Sequence, residues 1–499
     1  MFSKPKSNLR PNTAEFEVVP HVMPTGFREY DARWRFPEEI STLGFQALGM
    51  GLGTLLRERG VRPAIVVGHD YRSYSSALKS ALTVGLMTAG CEVFDIGLAL
   101  SPTAYFAQFD LDVPAVAMVT ASHNENGWTG VKMGCERPLT FGPEEMSRLK
   151  EIVLSGAYRP ASGSSYVFVP DMRERYIADL ISKVKLSRPI HVVAACGNGT
   201  AGLFAPEVLR GVGARVTELD CTLDYTFPNY NPNPEDMKML HAVAETVKKS
   251  GAEIGLAFDG DGDRCGVVDD EGEEIFADKV GVMIARDLSA QHRHAKFVVD
   301  VKSTGLFLTD PVLIEHGAET DYWKTGHSYI KRRANELGAL AGFEKSGHYF
   351  FRAPLGRGYD DGLVSAIAIL QMLDRNPGKK MSDLKRALPV TFGSPTMSPY
   401  CSDTEKYGIV DKITAEYRAL ADSKEKILNQ PIRDITTVNG VRVTLADGTW
   451  GLVRASSNKP NLVVVVESPV SEAQMKAMFH DIEARLARHP QVGEYDQKI

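Results

Sequence analysis

Strand-length runs rich in Val and Ile alternate with amphipathic, helix-length segments over most of this chain. The first round contains AIVVGHD, a helix from about Ser75, EVFDIGL and PAVAMVTASHN. A second round leads from IHVVAACGNGT to AEIGLAFDGDGDR, and a third passes through KFVVDVKST, TDYWKTGH and LAGFEKSGHYFF. Near-continuous apolar strands that feed crossover helices predict parallel α/β sheets.

The C-terminal part of the chain follows a different pattern. NGVRVTLADGTWGLVRA and NLVVVVES are strand-like and joined by short turns, which predicts an antiparallel sheet. A closing helix is indicated by a capping box of Ser471 and Gln474. Its apolar stripe, which we interpret as core packing, consists of Met475, Met478, Phe479, Ile482 and Leu486.

The length of 499 residues is too great for a single core. The pattern predicts three α/β domains and a C-terminal α+β domain, with boundaries at 1–168, 169–273, 274–388 and 389–499.

The net charge of −6 offers no basic excess for binding nucleic acid. The apolar stretch from Leu43 is too short and too rich in glycine to span a membrane, so we expect a packed helix. Without a signal-like N-terminus or a C-x-x-C pair, a cytoplasmic enzyme is the expectation.

The stretch FDGDGDR carries the strongest chemical signal. Asp259, Asp261 and Asp263 alternate with glycines, so three carboxylates can converge on one point. Hard oxygen ligands of this kind favour Mg²⁺ or Ca²⁺. An EF-hand is excluded because its sixth and twelfth positions would be Arg264 and Asp270 rather than Gly and Glu. We favour a metal site over a solvated acidic turn.

A serine and a histidine stand side by side in MVTASHNENGWTGVKMG. Ser122 lacks the Gly-x-Ser-x-Gly frame of a hydrolase. On an extended chain, adjacent side chains point in opposite directions, so we expect His123 to be poorly placed as the base for Ser122.

Two further loops follow strands. In FEKSGH, Glu344, Ser346 and His348 would share one face of an extended chain, and a carboxylate beside a hydroxyl suits a sugar diol. In VRASSNKP, the polar side chains could cradle a phosphate; they are Arg454, Ser456, Ser457 and Asn458. A polar turn and a plain hairpin are equally compatible with these two patterns taken alone.

Other charged or titratable groups lie near strand ends. They are Thr325 and His327 in TGHSYIK, Lys302 in DVKST and Arg33 in FREYDARW. Each, taken singly, is more typical of a surface ion pair than of a site. Because ligand sites gather beyond the carboxyl ends of strands, we expect the polar loops of the four domains to face one cleft.

Together these motifs resemble the α-D-phosphohexomutase family, and most closely its bacterial phosphomannomutase/phosphoglucomutase branch. The resemblance covers essentially the whole chain, in order. The family's serine, metal, sugar and phosphate loops match residues 120–124, 259–264, 344–348 and the loop from Arg454. Arg33 and Lys132 match an active-site arginine and lysine of the family.

The resemblance implies a heart-shaped four-domain fold and a phosphoryl group on Ser122. It further implies Mg²⁺ held by Ser122, Asp259, Asp261 and Asp263, and catalytic roles for Lys132, Arg33 and His327. The implied substrate-binding residues are Arg264, Lys302, Thr325, Glu344, Ser346, His348, Arg454, Ser456, Ser457 and Asn458.

The implied reaction moves a phosphoryl group between positions 1 and 6 of mannose or glucose phosphates, through a 1,6-bisphosphate. Glucose 1,6-bisphosphate would be the activator, and the protein a monomer or homodimer. His327 and Lys302 are both candidates for proton transfer, and motion of the C-terminal domain is expected. The alternatives are a phosphoglucosamine mutase, a Mg²⁺-dependent sugar phosphatase and a non-catalytic calcium-binding protein.

Overall fold

The computed structural model describes residues 3–457 and 459–499. In chain order the helices are α1 Ala14–Val18, α2 Thr42–Glu58, α3 Ser75–Thr88, α4 Ser101–Asp110, α5 Pro143–Ser155, α6 Met172–Lys183, α7 Ala205–Gly211, α8 Met237–Ser250, α9 Ala277–Gln291, α10 Leu306–Thr309, α11 Pro311–Glu315, α12 His327–Leu337, α13 Gly362–Asp374, α14 Met381–Arg386, α15 Lys406–Asp422 and α16 Glu472–Leu486.

The strands in chain order are β1 Ala32–Arg35, β2 Ala64–His69, β3 Glu92–Leu98, β4 Ala115–Val119, β5 Trp128–Gly134, β6 Ser165–Phe168, β7 His191–Ala195, β8 Arg215–Leu219, β9 Ile254–Phe258, β10 Cys265–Asp269, β11 Glu274–Ile275, β12 Lys296–Asp300, β13 Glu319–Trp323, β14 Ala341–Phe343, β15 Tyr349–Phe351, β16 Phe392–Gly393, β17 Lys426–Ile427, β18 Gln430–Thr436, β19 Val441–Leu445, β20 Trp450–Ala455 and β21 Leu462–Ser468.

The chain folds into two compact units. The first unit contains Met1–Ala277 and Ser346–Ser382, and the second contains Asp278–Lys345 and Asp383–Ile499.

The first unit contains two mixed sheets. In the sheet of order β1-β5-β4-β2-β3-β6, β2 pairs in parallel with β3 and β4, whereas β5 runs antiparallel to β4 and β1. In the sheet of order β11-β10-β9-β7-β8, β7 is parallel to β8 and β9, and β10 turns back antiparallel. The predicted α/β organisation is confirmed, and the antiparallel strands make both sheets mixed.

The apolar stretch from Leu43 forms most of helix α2, which lies in the hydrophobic core of the first unit. Ser41 caps the helix by accepting from the Gly44 N–H. A Cβ at Gly49 would lie 2.2 Å from the Leu82 carbonyl oxygen, so glycine is required where α2 meets α3. Among the described residues, no helix combines the length and apolarity needed to cross a membrane. The predicted packed helix is confirmed.

The second unit contains a parallel sheet and an antiparallel sheet. Strand β12 pairs in parallel with β13 and β14. The C-terminal strands form an antiparallel sheet of order β16-β21-β20-β19-β18-β17, against which α15 and α16 pack. This confirms the predicted change from parallel to antiparallel pairing.

The closing helix follows the prediction closely. All five predicted stripe residues of α16 are buried, and the Ser471 hydroxyl accepts from the Gln474 N–H. Among the described residues, the reciprocal bond from the Ser471 N–H to the Gln474 side chain is not formed; the Gln474 side-chain NH2 donates to Asp447 Oδ2 at 3.0 Å.

Candidate active site

The Ser122 loop joins two antiparallel neighbours, β4 and β5. Ser122 is 2% exposed, and its φ of 52° lies in the left-handed region that side chains with a Cβ rarely adopt. Its hydroxyl donates to Asp259 Oδ2 at 3.0 Å across 137 residues of sequence. The serine therefore faces the acidic loop.

The position of His123 differs from the expectation. Its Nδ1 lies 3.3 Å from the Ser122 Oγ. The expectation assumed an extended chain, but the left-handed backbone at Ser122 brings the two adjacent side chains to the same side. His123 thus lies within hydrogen-bonding distance of the serine hydroxyl.

The acidic loop is the turn between β9 and β10. Asp259 Oδ1 accepts from the N–H groups of Asp263 and Arg264 at 3.0 and 3.1 Å, which fixes the turn. Gly260 packs against the serine loop, since a Cβ there would lie 2.5 Å from the Ser122 carbonyl oxygen. Glycine is needed at this close approach.

The donor set of the loop fits a divalent cation. Asp259, Asp261 and Asp263 are fully buried and offer carboxylate oxygens that all lie within 4.8 Å of one another. Asp261 Oδ1 and Asp263 Oδ1 accept no hydrogen bond from any described residue. Buried carboxylate oxygens without partners are costly unless a cation binds them. The predicted cluster is therefore compatible with a metal site.

Lys132 lies among the three carboxylates. Its Nζ donates to Asp261 Oδ2 at 2.7 Å and also to Asp263 Oδ2. Burial by itself would lower the pKa of Lys132, but Asp261 and Asp263 outweigh it and hold that pKa above its usual value. Burial, then the charges of Asp263 and Asp261, raise the pKa of Asp259 well above its usual range. The cluster thus carries more negative charge than Lys132 neutralises.

Arg33 reaches the same region from β1. Its Nε and Nη2 pair with Asp31 Oδ2 at 3.0 and 2.9 Å, while Nη1 is buried and has no hydrogen-bond partner within the described part of the chain. Burial would lower the pKa of Arg33, but Asp31 and then Asp261 raise it above its usual value. Arg33 remains cationic beside the acidic loop.

The sugar-loop pattern folds as a turn. Residues 344–348 connect β14 to β15 through a turn, so the expectation of an extended chain with alternating side chains is wrong here. His348 Nε2 accepts from Arg264 Nε at 3.0 Å, and His348 Nδ1 lies 3.1 Å from Asp360 Oδ2. Ser346 and His348 belong to the first unit, whereas Glu344 belongs to the second.

Within the second unit, two predicted residues lie beside Asp300 at the end of β12, and a third contacts the loop that follows β13. Thr325 Oγ1 donates to Asp300 Oδ2 at 3.2 Å, and Lys302 Nζ lies 3.8 Å from the same oxygen. Glu344 Oε1 accepts from the Gly326 N–H at 2.6 Å, next to His327 at the start of α12. Distant segments are therefore brought together here.

Asn439 joins Arg454 to this group. Its Oδ1 accepts from Arg454 Nε at 2.8 Å and from the Thr325 N–H at 3.3 Å. Arg454 Nη2 donates to Ser457 Oγ at 3.2 Å, and Ser456 Oγ accepts from the Lys459 N–H within the turn. The predicted Asn458 lies outside the described residues.

Sequence reasoning missed three residues of these clusters. Ser101, at the start of α4, donates its hydroxyl to Asp261 Oδ2 at 2.5 Å. Asp360 accompanies His348, and Asn439 joins Arg454 to Thr325. The Asn-Gly pair at 439–440 marks a turn, but no local pattern indicates which distant residues that turn meets.

Four family models match the chain in order. They are described as phosphoglucomutase/phosphomannomutase alpha/beta/alpha domain I at residues 24–159, domain II at 174–272, domain III at 276–392 and the C-terminal domain at 405–485.

Similar proteins also match along nearly their whole length. A phosphomannomutase/phosphoglucomutase of Pseudomonas putida is 33% identical over 472 residues, 94% of this chain and 97% of the relative. A phosphoglucomutase of Neisseria meningitidis is 31% identical over 465 residues, 93% of this chain and 97% of the relative. The crystal structure of a phosphoglucomutase/phosphomannomutase family protein from Burkholderia thailandensis superposes with a TM-score of 0.84 at 30% identity, covering 95% of this chain and 99% of that one.

The fold and the site define a multidomain α/β protein whose serine loop packs on a buried carboxylate cluster. The matches go further: the chain belongs to the phosphoglucomutase/phosphomannomutase family, within the bacterial branch of the α-D-phosphohexomutases.

Proposed function

We propose that the protein is a hexose-phosphate mutase that moves a phosphoryl group between positions 1 and 6 of mannose or glucose phosphates. The observation that carries the proposal is the 3.0 Å hydrogen bond from Ser122 Oγ to Asp259 Oδ2, in a buried cluster with two unpartnered carboxylate oxygens. A serine held against such a cluster suits a phosphoryl carrier that works with a cation.

The proposed reaction has two transfers. In the first, the bond from phosphorus to Ser122 Oγ breaks and a bond to a sugar hydroxyl oxygen forms; the sugar hydroxyl proton passes to a base, and the freed Ser122 oxygen takes up a proton. The product is a hexose 1,6-bisphosphate. After the bisphosphate reorients in the site, Ser122 gives up its hydroxyl proton as it accepts the other phosphoryl group, and the leaving sugar oxygen takes a proton.

Cationic groups of the first unit would stabilise the transferring group. Lys132 and Arg33 can each donate hydrogen bonds to charge that develops on the phosphoryl oxygens. Mg²⁺, held by the three aspartates and Ser122, would neutralise the cluster and polarise the phosphoryl group. Support comes from the buried, unpartnered Nη1 of Arg33 and from the contacts of Lys132 with Asp261 and Asp263.

Other residues would bind the sugar and its second phosphate. We propose that Glu344 and Ser346 accept hydrogen bonds from the 3- and 4-hydroxyls, which mannose and glucose share. Arg454 and the neighbouring loop would bind the phosphate that is not transferring, because a guanidinium matches phosphate oxygens in pairs. Lys302, Thr325, Arg264 and His348 would complete the binding site.

The proton acceptor is proposed to be His327 or Lys302, with His348 as a third candidate. His348 is a candidate because its Nδ1 lies 3.7 Å from Asp263 Oδ1, beside the acidic loop. The hydrogen bond that its Nε2 accepts from Arg264 Nε at 3.0 Å would have to break before that nitrogen could take a proton. Burial by itself lowers the pKa of His348, but Asp263 outweighs this effect and the net pKa is raised. Glutamine variants of all three residues, compared across pH, would rank the candidates.

A substrate panel tests the proposal. Mannose, glucose and glucosamine phosphates are supplied with Mg²⁺ and a trace of glucose 1,6-bisphosphate, which we propose as the activator that phosphorylates Ser122. Mutase turnover of mannose or glucose phosphates is expected, with phosphate on Ser122 in phosphopeptide mass spectrometry. Preference for glucosamine phosphate would instead make the protein a phosphoglucosamine mutase.

Matched serine variants supply the control. Ser122→Ala is expected to abolish turnover, while Ser80→Ala, at an exposed position of α3, should retain it. Normal turnover by Ser122→Ala would overturn the proposal, and release of inorganic phosphate at the mutase rate would indicate a sugar phosphatase. We also propose a cytoplasmic monomer or homodimer, which size-exclusion chromatography with light scattering would test.

A further inference from the structure

Two buried charged side chains, Asp70 and Arg72, contact the backbone of the Ser122 loop. They are 1% and 4% exposed and follow β2, which pairs with β4 so that His69 lies opposite Val119. The Asp70 N–H also donates to the Val119 carbonyl at 3.0 Å. The sheet order thus sets this pair beside the point where the serine loop begins.

Asp70 holds the first half of the loop. Its Oδ2 accepts from the Thr120 hydroxyl at 2.9 Å and from the Ala121 N–H at 3.3 Å. The Thr120 hydroxyl in turn accepts from the Ser122 N–H at 2.9 Å. One carboxylate therefore fixes the backbone up to the serine itself.

Arg72 holds the second half. Its Nη2 donates to the Ser122 carbonyl at 3.0 Å and to the Asn124 carbonyl, and its Nη1 pairs with Asp70. Gly260 packs on the same Ser122 carbonyl, so this oxygen is held between Arg72 and the acidic loop.

These contacts matter because the left-handed backbone conformation of Ser122 is unfavourable without them. Its φ of 52° is disfavoured for a residue with a Cβ, so a released loop would relax toward other backbone angles. Such a change would rotate the Oγ away from Asp259. The hydroxyl direction therefore depends on groups that do not touch the hydroxyl.

We propose that Asp70 and Arg72 are positioning residues that hold Ser122 in its left-handed conformation and so aim its Oγ at the acidic loop. The inference rests on the proposed function of Ser122 as the phosphoryl carrier. Because Arg72 is almost fully buried, it has little surface to offer a sugar. Its loss should therefore slow phosphoryl transfer without weakening substrate binding.

Arg72→Gln and Arg72→Lys test the arginine. Arg72→Gln is expected to lower kcat about 100-fold with KM nearly unchanged, because a misplacement of about 1 Å costs this much in catalysis. Arg72→Lys keeps a cation and should recover part of the rate. Single-turnover transfer from phosphorylated enzyme to sugar should slow by the same factor as kcat.

Thr120 gives an independent test that leaves the buried charges in place. Thr120→Val removes the hydroxyl that joins Asp70 to the Ser122 N–H and should lower kcat, whereas Thr120→Ser keeps it and should recover most of the rate. If Arg72→Gln fails to fold in circular dichroism, this pair decides. Arg148→Gln, which breaks a partly exposed pair with Glu58 in the same unit, should behave as wild type.

The outcomes separate the two proposals. An active wild type together with wild-type kcat in Arg72→Gln, or equal rates in Thr120→Val and Thr120→Ser, would overturn the positioning role. A change confined to KM would overturn it as well. A wild type that carries no phosphate on Ser122 and shows no mutase turnover would overturn the proposed function, and the positioning role with it.

Discussion

Replacing Lys132 by methionine tests the electrostatics of the acidic cluster. The Lys132 ammonium is 2% exposed and contacts Asp261 Oδ2 at 2.7 Å as well as Asp263. Methionine keeps much of the volume but removes the charge. The variant therefore leaves three buried carboxylates with one cation fewer.

The loss of stability without metal should be large. Removing one partner of a buried ion pair costs roughly 3–5 kcal/mol. Because the entropy of unfolding grows with length, that corresponds to a fall in Tm of roughly 5–8 °C for a unit as large as the first. Mg²⁺ should restore much of the lost stability, because a less neutralised cluster binds the cation more tightly. Each tenfold gain in Mg²⁺ affinity adds about 1.4 kcal/mol to the free energy of unfolding at saturating metal.

The assay is thermal unfolding in EDTA and in Mg²⁺, with titration calorimetry for metal affinity. Lys79→Met is the matched control, because Lys79 forms a buried pair with Asp95 in the same unit. It should lose stability in EDTA but gain no more from Mg²⁺ than wild type does. The Mg²⁺-induced rise in Tm should be largest in Lys132→Met.

Two results would refute this reasoning. One is a Tm of Lys132→Met in EDTA equal to that of wild type, which would mean that Lys132 stabilises nothing. The other is a Mg²⁺-induced rise no larger than in wild type, which would mean that Lys132 and the cation do not share the carboxylates.

Three other changes have defined outcomes. Gly260→Ala should sharply lower kcat in steady-state assays, since its Cβ would lie 2.5 Å from the Ser122 carbonyl oxygen; an unchanged kcat would contradict this. Arg454→Ala should raise KM more than it lowers kcat, and the reverse pattern would argue against a phosphate-binding role. Burial alone would raise the pKa of Glu467, but Lys279 and hydrogen bonds lower it to about 2 from 4.5. Its contribution of about 3 kcal/mol is therefore present above pH 4.5 and lost as the pH falls toward 2. Urea unfolding followed by tryptophan fluorescence should reveal this loss, and Glu467→Gln should flatten it.

Local pattern was enough to predict the elements. The helices α2 and α16 and the switch to antiparallel pairing near the C-terminus follow from residue spacing, because side-chain periodicity depends only on the backbone of the same segment. The acidic loop was also readable, since its three carboxylates lie within five residues of sequence. The predicted domain boundaries remain a prediction.

Predictions from the local sequence pattern were wrong where contacts with distant residues set the backbone conformation. His123 was expected to point away from Ser122, and residues 344–348 were expected to be extended. Ser122 is left-handed instead, and the second segment is a turn between two strands. Long-range contacts hold both, and spacing carries no information about them.

The sequence by itself thus determined which segments are strands and helices, and which loops carry carboxylates, hydroxyls and cations. Only the tertiary structure decided which of them meet. Ser122 reaches Asp259 across 137 residues, and Arg72 reaches the Ser122 carbonyl across 50. The physical reason is that such contacts depend on strand order, in which β2 lies beside β4, and no periodicity along the chain encodes that order.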